Sequence, residues 1–224
     1  MSLILYGVVI LYMLDEGDGV KTLSEKRRKA IVTAAADVFL DTGFERSSMD
    51  EVARRAGGSK ATLYKYFPSK EALFEAVILN NSARFLTEAA CGLNAPENKT
   101  RSLEQKLTRF GEDMLRVVTC DNQALQIYRV VMGEAGHSDI GQLFLESGIR
   151  QGMETLAREM EEAIGRGELG KADPMLRARQ FTALIKAEVE ILFFQREMPV
   201  FTSDDVRQMV SHGVRLFLDG AATR

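Results

Sequence analysis

Apolar residues recur along this chain at spacings of three and four, and strand-like alternation is hard to find. That period sets them on one face of a helix. Ile31, Ala35, Val38 and Phe39 fall at i, i+4, i+7 and i+8 and predict a helix from about Ser24 to Thr42, ended by Gly43. Met49, Val52, Ala53 and Ala56 repeat the pattern behind Ser48, which with Glu51 has the spacing of a capping box. Gly57-Gly58 ends that helix. A short one opens at Ser59, a good N-cap, and stops at Pro68-Ser69. A fourth, capped by Ser69, carries Phe74, Val77, Ile78 and Phe85 inward.

Asn94 to Thr100, with Pro96 inside, is polar and reads as a loop. Ser102 and Gln105 then make a second capping box. Further helices are predicted at about 103–119, 122–135, 139–165, 174–195 and 204–219. Asp173-Pro174 is a cap followed by proline at the first helical position. Ser203-Asp204-Asp205 sets a cap and two acids at the start of the last helix, where the macrodipole favours them. The pattern predicts an all-α protein without repeats or low-complexity tracts.

Composition adds bounds. The 224 residues are 46% hydrophobic, enough to bury a core, and only 4 are proline. Net charge is −3, but its distribution is uneven: Lys21 to Glu75 holds 11 basic and 8 acidic residues, against 18 basic and 21 acidic after it. Residues 1–20 hold three acids and no base. Their apolar run, Met1 to Leu14, is shorter than the roughly 20 residues that span a bilayer. It lacks the basic start and small-residue cleavage site of a signal peptide. It reads as an extension outside the fold, from an upstream start codon with Met13 as the true start or added in cloning. A helix docked on the body is the alternative. Cys91 and Cys120 have no metal-like spacing and read as reduced thiols of a cytoplasmic protein; a redox role would want basic neighbours, which they lack. His137 and His212 are the only histidines, and no metal site or cofactor is expected. No phosphate loop, nucleophile elbow or carboxylate pair recommends an enzyme.

The candidate chemistry lies between Ser48 and Phe74. Two helices of about eight residues across a glycine turn, behind a longer one, have the layout of a helix-turn-helix, though any three-helix packing unit shares it. Leu63 and Phe67, at i and i+4, can pack the short helix onto its predecessors. Ser59, Lys60, Ala61, Thr62 and Lys65 then occupy its outward or N-terminal surface. A recognition helix meets base edges with those first residues. Lys60 has the charge and reach for guanine, and Thr62 can meet a base or a thymine methyl. Tyr64, Tyr66 and Lys70 suit phosphate oxygens, which fix register without reading sequence. Ser48 at a helix N-terminus is another phosphate site. Lys26, Arg27 and Arg28 could reach a neighbouring phosphate or the minor groove. Plain alternatives stand beside these: Tyr64 as a packing residue, Arg54, Arg55 and the Lys26–Lys29 run as solvated faces.

The stretch "SMDEVARRAGGSKATLYKYFPSKEALF", preceded by Ala35 to Phe39 and Gly43-Phe44, resembles the DNA-binding domain of TetR-family transcriptional regulators from Lys26 to Val77. Two positions depart from that pattern. Gly58 stands where the family usually has an apolar residue, which removes a packing contact. Ala61 stands where glycine is common and adds a methyl that could touch a thymine methyl. The resemblance implies a helix-turn-helix domain over 21–75 and a larger helical domain over 76–224 that binds a small molecule and dimerises.

For the dimer, Val206, Met209, Val210, Gly213, Val214 and Phe217 form a stripe on the last helix, and Phe181, Leu184, Ile185, Ile191, Leu192 and Phe193 an apolar set before it. The resemblance implies that these pair with their copies as a four-helix interface; packing on their own domain is the alternative. For the ligand, Phe110, Met114, Tyr128, Met132, Phe144, Met153, Met160 and Phe194 are apolar wall material, with Gln126, Arg129, His137 and Glu188 as polar groups within apolar runs. The expectation is a homodimeric, ligand-responsive repressor, released from a palindromic double-stranded operator by a small, mostly apolar effector. The alternative is a small-molecule binding or interaction protein that has lost specific DNA binding.

Overall fold

A computed structural model of the chain describes residues 20–81, 84–98, 100–120, 122–195, 197 and 199–223. The N-terminal run to residue 19, the inward placement of Phe85 and the thiol of Cys120 lie outside the described residues. Helix α1 (Val20–Thr42) ends where Gly43, at a φ of 76°, donates its N–H to Phe39 O at 2.9 Å. A left-handed residue there closes the last turn without a Cβ penalty. Helix α2 (Met49–Arg55) is capped by Ser48, whose Oγ accepts the Glu51 N–H at 3.2 Å. Only half of the predicted box forms. The Glu51 carboxylate instead takes Arg54 at 2.5 and 3.0 Å, which with Arg55 holds it below the usual carboxylate range despite some desolvation.

The turn after α2 is a Schellman motif. Gly57 has a φ of 66°, its N–H bonds Arg54 O at 3.1 Å, and the Gly58 N–H bonds Ala53 O at 2.9 Å. Helices α3 (Lys60–Tyr66) and α4 (Lys70–Asn81) follow. A trio of phenylalanines holds this unit together. The Phe74 ring meets Phe39 edge-on at 4.8 Å and Phe44 at 5.0 Å. Leu63 and Phe67 are buried on the same core, as the i, i+4 spacing implies.

The rest is helical too. Helix α5 (Arg84–Leu93) and a short 3₁₀ turn (Pro96–Asn98) precede α6 (Leu103–Cys120), which opens with the complete Ser102–Gln105 box, both bonds at 3.2 Å. Helices α7 (Asn122–Glu134), α8 (Ile140–Phe144), α9 (Arg150–Gly165), α10 (Pro174–Lys186) and α11 (Ser203–Ala221) complete the bundle. The helix expected over 139–165 is interrupted by a π turn at Leu145–Ile149, where Gly148 has a φ of 111°. A Cβ on Gly148 would lie 2.5 Å from Thr87 Cγ2, so the glycine lets α5 approach the break. The helix expected over 174–195 stops at Lys186 and resumes as a 3₁₀ turn, Glu190–Phe194. The last helix is capped by Thr202 rather than Ser203: Thr202 Oγ1 accepts the Asp205 N–H at 3.1 Å, and Asp205 accepts the Thr202 N–H at 2.7 Å.

The two halves meet through helices. The boundary expected at 75/76 falls inside α4, whose Leu73, Phe74, Val77 and Ile78 are all buried. Helix α7 packs against both α1 and α4, and its Glu134 comes beside Gly43. Lys106 donates to both carboxylate oxygens of Glu159 at 2.9 Å in the α6–α9 interior. No helix among the described residues is long and apolar enough to cross a membrane.

Candidate nucleic-acid interface and effector cavity

The N-terminal end of α3 is open. Ser59, Lys60, Ala61 and Lys65 are exposed, Thr62 is half-buried, and Tyr64 stands 43% exposed. Ser59 Oγ accepts the Thr62 N–H at 3.1 Å and lies 2.9 Å from Thr62 Oγ1, so the two hydroxyls order each other. Lys60 Nζ donates to Asp50 of α2 at 3.0 Å, a bond that raises the lysine above its ordinary value. Lys60 therefore sits tethered to α2. Ser48 is exposed at the start of α2. Tyr66 is half-buried against the core.

Lys70 is placed differently from the phosphate contact expected of it. Its Nζ donates to Phe44 O at 2.8 Å, Glu45 O at 3.3 Å and Ser47 O at 3.4 Å, and sits 4.2 Å from the Phe44 ring centroid. An ammonium has three donors, and these carbonyls engage all of them. Lys70 is thus a clamp on the α1–α2 connection. Arg54 pairs with Glu51, and Arg55 with Asp41. The guanidinium of Arg27 lies where a side chain on residue 58 would begin. Gly58 therefore leaves no empty contact in the turn. Arg28 stacks over Phe67 at 5.1 Å.

The second half holds a half-open cavity of about 500 Å³. Its apolar wall includes Leu86, Met114, Phe144, Ile149, Met153 and Met175. Helix α10 adds Arg179, Thr182, Ala183 and Lys186, and Arg150 comes from the start of α9. A side chamber of about 290 Å³ lies beyond Tyr128 and Lys186, lined by Arg129, Met132, Glu190, Phe193 and Phe194. Tyr128 stacks on Phe193 at 4.9 Å and meets Phe144 edge-on at 5.5 Å, which fixes its ring between the chambers. Burial pushes the Tyr128 phenol up and the Lys186 ammonium down, since both charged forms lose water there.

Of the expected ligand residues, Met114, Tyr128, Arg129, Met132, Phe144 and Met153 line this space. Phe110 does not: it is buried against Phe181, at 6.1 Å. Gln126 supports Arg129 at 3.1 Å, and Arg129 also donates to Leu192 O and, at 2.5 Å, Gln195 O, pinning the 3₁₀ turn. Glu188 is exposed and bonds His212 at 3.0 Å, away from the cavity. Sequence reasoning missed Arg150, Arg179 and Lys186. Met175, Arg179, Thr182 and Lys186 fall at i, i+4, i+7 and i+11, a signal that also describes a solvated helix edge.

The expected dimer stripe faces inward. Phe181, Val206, Val210, Gly213, Val214 and Phe217 are buried in the protomer itself, with Phe181 and Phe217 in edge contact at 5.2 Å. A Cβ on Gly213 would lie 2.9 Å from Ile185 Cδ1, and one on Gly111 2.8 Å from Val210 Cγ1. The close approach that glycine permits is thus between helices of one chain. Only Leu184, half-buried, and Ile191, 57% exposed, remain outward from that set. The opposite face of α11 carries His212 and Leu216, the latter 62% exposed.

Residues 31–77 match the family model "Bacterial regulatory proteins, tetR family", and residues 105–220 match "AefR-like transcriptional repressor, C-terminal domain". The transcriptional activator FasR of Mycolicibacterium smegmatis is 32% identical over 103 residues, 46% of this chain and 45% of that protein. The regulator UidR of Escherichia coli is 38% identical over 69 residues, 31% and 35% of the two chains. The chain thus aligns with less than half the length of these curated relatives. The solved structure of the Flavonoid-responsive Regulator FrrA is 31% identical, with a TM-score of 0.69 over 89% of this chain and 99% of that one. A regulator from Pseudomonas syringae is 32% identical, with a TM-score of 0.66 over 87% and 95%.

Proposed function

The chain belongs to the TetR family of bacterial transcriptional regulators, and on that premise we propose that it is a homodimeric repressor released from its operator by a small, mostly apolar effector. The observation that carries the reading is the pairing of an open α3 terminus with a half-open, largely apolar cavity in one helical chain. Ser59, Lys60, Ala61 and Thr62 read base edges, with Tyr64, Lys65, Tyr66 and Ser48 along the phosphates. Repression is supported by the repressor family matched over residues 105–220. FrrA is named as flavonoid-responsive, which supports an apolar effector of modest size here.

Helix α7 couples the two sites. It carries Tyr128, Arg129 and Met132 at the cavity and packs on α1 and α4 at its other side. An effector that binds better to one tilt of α7 shifts the population toward that tilt, and DNA affinity falls by the same factor. The dimer forms through the outward faces of α10 and α11, around Leu184, Ile191 and Leu216. Two copies then present two α3 helices to successive major grooves, about 34–36 Å apart or a multiple of that.

Fluorescence anisotropy against the promoter upstream of the protein's own gene tests this. Specific binding that weakens steeply with salt is the expected result. Absence of salt-dependent binding at any site on that DNA overturns it.

A further inference from the structure

The cavity is not electrically neutral. Its larger chamber is lined by Arg150, Arg179 and Lys186, with no carboxylate among its lining residues. Arg150 and Arg179 are exposed and stand at its rim, while Lys186 is half-buried at the partition with the side chamber. The Lys186 ammonium has no hydrogen bond or ion pair within contact distance among the described residues, and the nearby Glu190 acts on it only through its field. Arg129, across the side chamber, gives its two terminal nitrogens to Gln126 and two carbonyls and is held by them as a structural post, while its buried Nε has no hydrogen-bond partner among the described residues. A half-buried ammonium without a partner is costly unless something anionic completes it.

Resting on the reading of this space as the effector site, we propose that the effector is an amphipathic anion, its acid group paired with Lys186 and its apolar body packed against Met114, Phe144, Ile149 and Met153. The rim arginines raise the local concentration of such a molecule and orient its entry acid-first. A neutral molecule of the same shape gains the apolar wall but leaves Lys186 unpaired. A cation meets three like charges. The volume of about 500 Å³ is in the range that encloses a small ligand body.

Calorimetric titration of the full chain with two matched pairs tests the proposal: decanoate against 1-decanol, and 1-naphthoate against 1-naphthalenemethanol. In each pair that binds, the acid is expected to bind at least about tenfold more tightly, the discrimination of one charge-assisted pair. Lys186→Met should erase that preference, and Lys186→Arg should keep it. An alcohol that matches its acid, or a preference that survives Lys186→Met, overturns the anion while leaving the cavity reading intact. Failure of all four compounds to bind, or binding unchanged in Met153→Trp, which fills the chamber, overturns the cavity reading and the anion with it.

Discussion

Two lysines of the helix-turn-helix unit carry the same charge and do opposite work. Lys60 is exposed and held by one carboxylate, which the proposed base contact would displace; Lys70 is surrounded by three carbonyls and an aromatic face. Hydrogen bonds from a charged donor contribute about 1.5–3 kcal/mol where they are shielded, and carbonyls left behind by truncation must find water. Lys70→Ala should therefore lower unfolding stability by about 1–3 kcal/mol. Lys60→Ala should leave the urea midpoint where it is and relax base preference at one operator position. Urea unfolding of both variants, beside a panel of single-base operator changes, distinguishes the roles. A Lys70 variant with wild-type stability and uniformly weak DNA binding would return that residue to the phosphate backbone. Sequence could not separate the two lysines, because the carbonyls that capture Lys70 lie more than twenty residues upstream.

At the scale of elements, glycine marks where helices touch. Gly213 of α11 faces Ile185 of α10, and Gly111 of α6 faces both Val210 and Ile185. Adding a methyl at 213 should raise helix propensity yet force Ile185 Cδ1 aside, and overpacking of this kind costs about 1–3 kcal/mol. Gly213→Ala should be destabilising alone and partly rescued by Ile185→Val, which removes the atom in conflict. Additive effects of the two changes in thermal unfolding would show that they do not meet. What was legible in the chain divides along the same line. Caps at Ser48, Ser59, Ser102 and Asp173 were readable because their partners are two or three residues away. The stripe of α11 was equally readable as a stripe, but its period says only that it is buried, not against what. The partner turned out to be α10 and α6 of the same chain. The break at Gly148 is likewise not legible locally, since the glycine is needed where Thr87 of another helix comes close.

For the whole molecule, inward burial of that stripe changes where a second copy has to dock. On the proposed homodimeric reading, one helix-turn-helix touches few base pairs and two joined copies supply operator recognition. With Val210, Val214 and Phe217 spent inside, the apolar side chains left outward on α10, the 3₁₀ turn and α11 include Leu176, Leu184, Ile191, Phe194 and Leu216, beside the Glu188–His212 pair. A stable interface buries about 800 Å² per partner around a desolvated apolar centre. Charges placed at that centre should be intolerable there and harmless to the fold, because all these positions are at least partly exposed in the single chain. Ile191→Glu with Leu216→Glu is therefore expected to sediment as a folded monomer with unchanged helical circular dichroism. Its affinity for the full palindrome should fall by a factor of about ten or more, toward that of an isolated half-site, since the second recognition helix no longer arrives tethered. Operator binding that survives in a demonstrated monomer would mean that one copy suffices. A dimer that survives both charges would mean that the copies meet across another face of the bundle.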